Sequence, residues 1–158
     1  PPMPDVPGVE PSELEAERTR GAVLVDVAPS VEYLRGHIPG AWLVSRTSRD
    51  IAMAALPRAA HYIVTSGDGV LASFFAPELA AITHARVSVL TGGTAAWTLS
   101  GGALRSGGER LTMSPIDVYK RPYEGTDNDA QAMQAYLDWE YGLVAQLERD
   151  GTHGFHVI

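Results

Sequence analysis

The sequence predicts an α/β fold, a three-layer sandwich with a mostly parallel central sheet and helices on both faces, plus a long C-terminal helix. Three observations carry this. The short runs 22–27, 62–65 and 86–90 are largely apolar, which suits strands buried on both faces as in a parallel sheet. Segments with helical spacing separate them. The joints are a few residues long and rich in Gly and Pro, so strand and helix alternate directly.

The elements follow in order. Ser12, with Glu15 three residues on, reads as the N-cap of a helix over 13–19 that Gly21 closes. Ala22–Val27 is the first buried strand. Pro29 and Ser30 open a short helix over 31–35, stopped by Gly36. His37–Gly40 is a turn, and 41–44 is a brief apolar segment. A helix over 48–56 ends at Pro57, and the next strand is 62–65. Ser66–Gly69 is a tight loop that opens a helix over 70–82, in spite of Pro77. The strand 86–90 follows, then Gly92 and Gly93 lead into a helix over 94–99 that Gly101 and Gly102 close. From 101 to 126 the composition turns to Gly, Pro, Ser and charge, as in an extended connector. Asp127 and Asn128 then cap a helix over 129–149, ended by Gly151. Its apolar positions Met133, Leu137, Val144 and Leu147, with Tyr136, Trp139, Tyr141 and Leu143 nearby, exceed one stripe, so it is expected to pack on two sides.

A chain of 158 residues fits one domain, and its 45% hydrophobic and 20% charged content is that of a globular protein. It opens on Pro1 rather than methionine, so it reads as a processed chain or a piece of a longer one. The expected layout is a linker over 1–11, a domain over 12–106 and an extension over 107–158. No apolar run approaches the roughly 20 residues that cross a bilayer, and no leader is visible. A net charge of −7 and a pI near 5.1 repel polyanions, and Lys120–Arg121 is the only adjacent basic pair, so no nucleic acid is expected. The chain has no cysteine, which removes disulfides, thiolate metal sites and any cysteine nucleophile. This agrees with a cytoplasmic setting, the expected location. No metal or cofactor is expected either. His153 and His156 lack further ligands, and the acidic turn 122–128 lacks the alternating donors of a calcium loop.

Two signatures carry a resemblance. Leu24–Val27, then Glu32 and Tyr33, then Arg35–Ala41 with its Gly-His-Ile-Pro-Gly-Ala turn, form the first. Leu90–Trp97, with Gly92, Gly93 and a later glycine at 101 or 102, forms the second. In this order and spacing they resemble the rhodanese (thiosulfate sulfurtransferase) family, over about residues 8–106. As single residues they read structurally. Asp26 caps the short helix or braces the turn, His37 is a hydrogen-bonded turn residue, Gly92 and Gly93 permit a tight helix start, and Trp97 fills core.

Chemistry in that family resides in a Cys-x-x-Gly-x-Arg loop between a buried strand and a helix. The resemblance implies that backbone amides and the helix N-terminus lower the thiol pKa, so that the thiolate can carry sulfane sulfur as a persulfide. Here the loop reads Ser66, Gly67, Asp68, Gly69, Val70, Leu71. Length and glycine match, but Ser66 stands at the nucleophile and Leu71 at the arginine. A persulfide is a sulfur–sulfur bond, which a serine oxygen cannot form. Leucine also removes a full positive charge and up to five donors, and Asp68 adds a negative charge. The expectation is a catalytically silent module of a multidomain sulfurtransferase, structural or regulatory, partnered by other modules of its parent chain or by a second copy. The C-terminal extension resembles the tail after the last module of tandem-rhodanese proteins. Two alternatives stand beside it: an anion- or metabolite-binding sensor using loop 66–71, and a hydrolase using Ser66.

Overall fold

The computed structural model describes residues 1–112, 134, 137–139 and 141–142. Contacts divide the chain into two compact units, Pro1–Val118 and Tyr119–Ile158. The first unit holds a five-stranded sheet: β1 (Gly8–Val9), β2 (Val23–Asp26), β3 (Trp42–Leu43), β4 (His61–Thr65) and β5 (Arg86–Leu90), in the order β1-β5-β4-β2-β3. Every pairing is parallel. The helices are α1 (Leu14–Thr19), α2 (Ser30–Arg35), α3 (Arg49–Ala55), α4 (Val70–Thr83) and α5 (Gly93–Leu99).

Alternation along the strands divides the core in two. Val25, Tyr62, Val64, Val87 and Val89 pack with Ala52 of α3 and with Ala72, Phe75, Ala76 and Leu79 of α4. Leu24, Ile63 and Leu90 pack on the other side with Leu14 of α1 and Tyr33 of α2, and half-buried Trp97 of α5 rests against them. Helices therefore cover both faces, which is why the strands read as continuous apolar runs. Register sets Asp26 opposite both Thr65 and Leu43, and Val27 N–H donates to the Thr65 carbonyl at 2.9 Å. The C-terminal ends of β2 and β4 thus lie side by side, and the 66–71 loop leaves from there.

Three sequence expectations change. Residues 1–11, read as a linker, contain β1, whose Gly8 and Val9 pair with Val89 and Leu90. The first helix does not start from Ser12 and Glu15. A 3-10 turn over Pro11–Glu13 precedes α1, and the Glu13 side chain accepts the Glu10 N–H at 3.0 Å. Pro11 fixes a helical φ two residues early and moves the start forward. Finally, the connector does not leave the domain at 106. Arg105 and His37 exchange backbone bonds of 2.9 and 2.8 Å, Gly107 N–H reaches the Leu34 carbonyl at 2.8 Å, and Leu43 N–H reaches the Arg110 carbonyl at 2.9 Å. The Arg110 guanidinium lies 5.3 Å over the Trp42 ring, and the Thr112 hydroxyl donates to the Leu43 carbonyl. These bonds satisfy the otherwise open edge of β3 and its flanking turn.

In the second unit, Gln134, Leu137–Trp139 and Tyr141–Gly142 are helical, with Gln134 Nε2 donating to Asp138 Oδ1 at 2.8 Å. The full 129–149 helix, its two-sided packing, the 122–128 turn, and His153 and His156 lie outside the described residues. Among the described residues no helix is long and apolar enough to cross a membrane.

Candidate functional site

Loop 66–71 is built from both of its ends. β4 delivers Ser66 directly after the buried Thr65, and Gly69, at φ +86°, turns the chain into α4. The second glycine pair supports the loop from behind. Thr94 N–H donates to the Ser66 carbonyl and Ala95 N–H to the Gly67 carbonyl, both at 2.9 Å. Gly93, at φ +64°, lies so close that a Cβ there would meet Ser66 O at 2.2 Å and Gly69 N at 2.5 Å. Gly93 therefore serves close backbone approach as well as the start of α5.

Ser66 is 2% exposed, and its Oγ accepts the Ala72 N–H at 3.2 Å. The Asp68 carboxylate bends back onto the helix start, with Oδ1 accepting the Val70 N–H at 3.0 Å. The loop thus supplies its own anion to a donor that an external one would need. Leu71 is half-buried and packs toward the α3–α4 core. The cleft over the loop, about 360 Å³, is lined by Ala28, Pro29, Glu32, Ser66, Gly67, Asp68 and Leu71. Glu32 stands over Gly67, with Oε2 3.6 Å from where a Cβ would sit. Among the described residues, two carboxylates and no cationic side chain line this cleft.

The signature residues separate into distinct places. Asp26 is 2% exposed and Oδ1 accepts the Ala28 N–H at 2.9 Å, so it braces the turn. The structure gives α2 no side-chain cap. Burial pushes the Asp26 carboxyl from 3.8 up to about 6; the Ala28 N–H and His37 restrain that rise, and Glu32 adds to it. His37 is fully buried, stacked on Tyr33 at 3.8 Å, with Nδ1 2.8 Å from the Tyr33 carbonyl oxygen. It lies under the 104–112 segment and does not line the cleft. Trp97 is half-buried rather than a core filler. Its ring roofs Gly102, where a Cβ would meet the indole at 2.2 Å, and Nε1 donates to the Ala103 carbonyl at 2.9 Å.

The sequence reading missed one constellation. His61 Nε2 is 2.9 Å from Ser88 Oγ, and Nδ1 is 3.4 Å from Glu17 Oε2. This is the ordering of a serine–histidine–acid relay, but Ser88 is 0% exposed, so no substrate reaches it. Burial, followed by the Arg86 charge, lowers the His61 pKa below 6.5 against the opposing pull of Glu17. The cluster ties α1 to β4 and β5. No sequence pattern marks it, because its members come from three separate elements. Among the described residues no group of three or more metal-ligating side chains converges.

Known proteins place this arrangement. Residues 10–100 match the family model described as a rhodanese-like domain. The structure is similar to thiosulfate sulfurtransferase from Pseudomonas aeruginosa, with 43% identity over 100% of this chain and a TM-score of 0.84. This chain spans only 30% of that protein's length. At 20% identity and a TM-score of 0.57, a 3-mercaptopyruvate sulfotransferase from Escherichia coli shares the fold over 75% of this chain and 59% of its own. A rhodanese-like domain protein from Staphylococcus aureus does so at 21% identity, 65% and 99% coverage, and a TM-score of 0.53. No curated protein matches. With the matched signatures, the parallel sheet and the loop between β4 and α4 all in register, the chain belongs to the rhodanese-like family.

Proposed function

We propose that this chain is a catalytically silent rhodanese-like module that serves a sulfurtransferase as a structural or regulatory part. The observation that carries the reading is the loop itself. Ser66 occupies the nucleophile position, Leu71 replaces the arginine, and the cleft presents Glu32 and Asp68 to any donor. An anionic sulfur donor would meet repulsion on approach and find no thiolate to attack it. The similarity to a thiosulfate sulfurtransferase more than three times as long supports a role as one part of a larger assembly. Its partners are then active modules of the same parent chain or a second copy, and its setting is the cytoplasm.

The hydrolase alternative has no support from the site. Ser66 is buried, its oxygen already accepts from Ala72, and no histidine among the described residues lines the cleft. The sensor alternative is disfavoured by the same two carboxylates. The test is incubation of the purified chain with thiosulfate, followed by intact-mass measurement and a thiosulfate:cyanide assay. The expected result is no sulfur adduct and no turnover above buffer; either one above background would overturn the reading.

A further inference from the structure

The 104–112 strap carries a buried polar atom whose state depends on a proton. His37 Nδ1 faces a carbonyl oxygen, which can only accept, so Nδ1 holds a hydrogen. Nε2 is buried without a hydrogen-bond partner, 3.6 Å from Glu109 Oε2. That distance is an ion-pair contact, too long for a hydrogen bond. Glu109 is held in place, with Oε1 accepting the Gly40 N–H at 2.9 Å and Oε2 accepting from Arg105 at 3.0 Å. Burial raises the Glu109 carboxyl pKa, but Gly40, Arg105 and His37 together bring it below the usual range, so it is an anion at neutral pH. With His37 neutral, a lone pair on Nε2 faces a carboxylate, and neither donates. With His37 protonated, the same gap holds a charge-assisted donor and acceptor, which close to about 2.7–2.9 Å.

From this geometry we propose that His37 and Glu109 form a proton-operated clasp. Proton uptake fastens the strap to the 37–40 turn, and proton loss loosens it. Among the described residues, the other charged and titratable groups around the pair are Arg18 on α1, which donates to the Pro39 carbonyl, Asp26 on β2, Glu32 and Tyr33 on α2, and Arg105 and Arg110 on the strap. This inference stands independently of the silent loop.

The test is amide hydrogen exchange on the full chain at about pH 5.5 and about pH 8, corrected for intrinsic rates, on either side of the histidine range. Arg105, Gly107 and Thr112 report the strap, and Ile63 and Val64 report the sheet. The wild type is expected to protect the strap amides about threefold or more in acid relative to the sheet amides. Glu109→Gln, which keeps an acceptor for Gly40, is expected to abolish the difference, and Asp26→Asn is expected to retain it. Equal protection at both pH values, or a response that survives Glu109→Gln, overturns the clasp. A response lost in Asp26→Asn but kept in Glu109→Gln assigns it to Asp26 instead, and also overturns it.

Discussion

Replacing Asp26 with Asn should make the domain more stable at neutral pH. Asp26 is 2% exposed at the end of β2, and its carboxyl is pushed from 3.8 to about 6. A raised acid pKa means that the folded state holds the proton more tightly than the unfolded chain does. Below 3.8 both states are protonated and the advantage is fully present. It declines as pH rises, and is gone once pH passes about 6, where the folded protein must bury an ionised carboxylate. The pKa difference corresponds to about 3 kcal/mol, at about 1.4 kcal/mol per tenfold. Asparagine keeps an Oδ1 acceptor for the Ala28 N–H and carries no charge. Urea unfolding at about pH 4.5 and about pH 7.5 checks this, since linkage puts most of the effect between those values. The wild type should lose stability across the interval, and Asp26→Asn should remove up to about 2 kcal/mol of that loss. At the higher pH the variant should be the more stable by about 1–3 kcal/mol. If Asp26→Asn is instead the weaker protein at neutral pH, or shows the same slope as wild type, the buried charge is not the cost inferred here.

Other outcomes follow from the loop and its supports. Ser66→Cys with Leu71→Arg should give weak thiosulfate:cyanide activity at best, and adding Asp68→Ala should raise it about fivefold. That factor is the roughly 1 kcal/mol between unit charges about 4 Å apart in water, and no gain from the third change would refute the electrostatic account. Gly93→Ala should cost about 3 kcal/mol or more in denaturant unfolding, because it combines a φ of +64° with a Cβ 2.2 Å from Ser66 O. A change within 1 kcal/mol of wild type, or about that, would mean that the joint relaxes easily. The His61 ring should titrate below 6.5 by NMR, because burial lowers its pKa. The stability linked to it is present above 6.5 and lost as pH falls through the lower folded value. A midpoint at or above 6.5 would contradict this.

What was legible in the sequence were features with a period or a composition of their own. The runs containing β2, β4 and β5 are apolar because both sheet faces are covered, and loop 66–71 stands out by its glycines and its position between a strand and a helix. The edge strand β1 could not be read, since two residues beside Pro7 have no period. The strap was taken for a connector because its backbone bonds to Leu34, His37 and Leu43 leave no mark on side-chain choice, and the contacts of Glu109, Arg110 and Thr112 reach far back along the chain and follow no spacing rule. At the candidate site, the identities of Ser66, Asp68 and Leu71 were readable directly. The position of Glu32 over Gly67 was not, because it depends on how α2 lies beside the loop. His61, Ser88 and Glu17 meet only through tertiary packing, and no spacing rule joins α1, β4 and β5.

The close approach of Gly93 to the loop has a consequence for how such a protein diverges. The curve of residues 66–69 is gripped from behind by Thr94 and Ala95, through backbone atoms alone. Side chains on the solvent side contribute little to that grip, so they are free to drift while the curve persists. A lineage can therefore retire the chemistry of the site and keep its architecture intact. The same independence makes the loop a ready scaffold for redesign: selection for a new surface can act on positions 67, 68, 70 and 71 while Gly93 holds the frame.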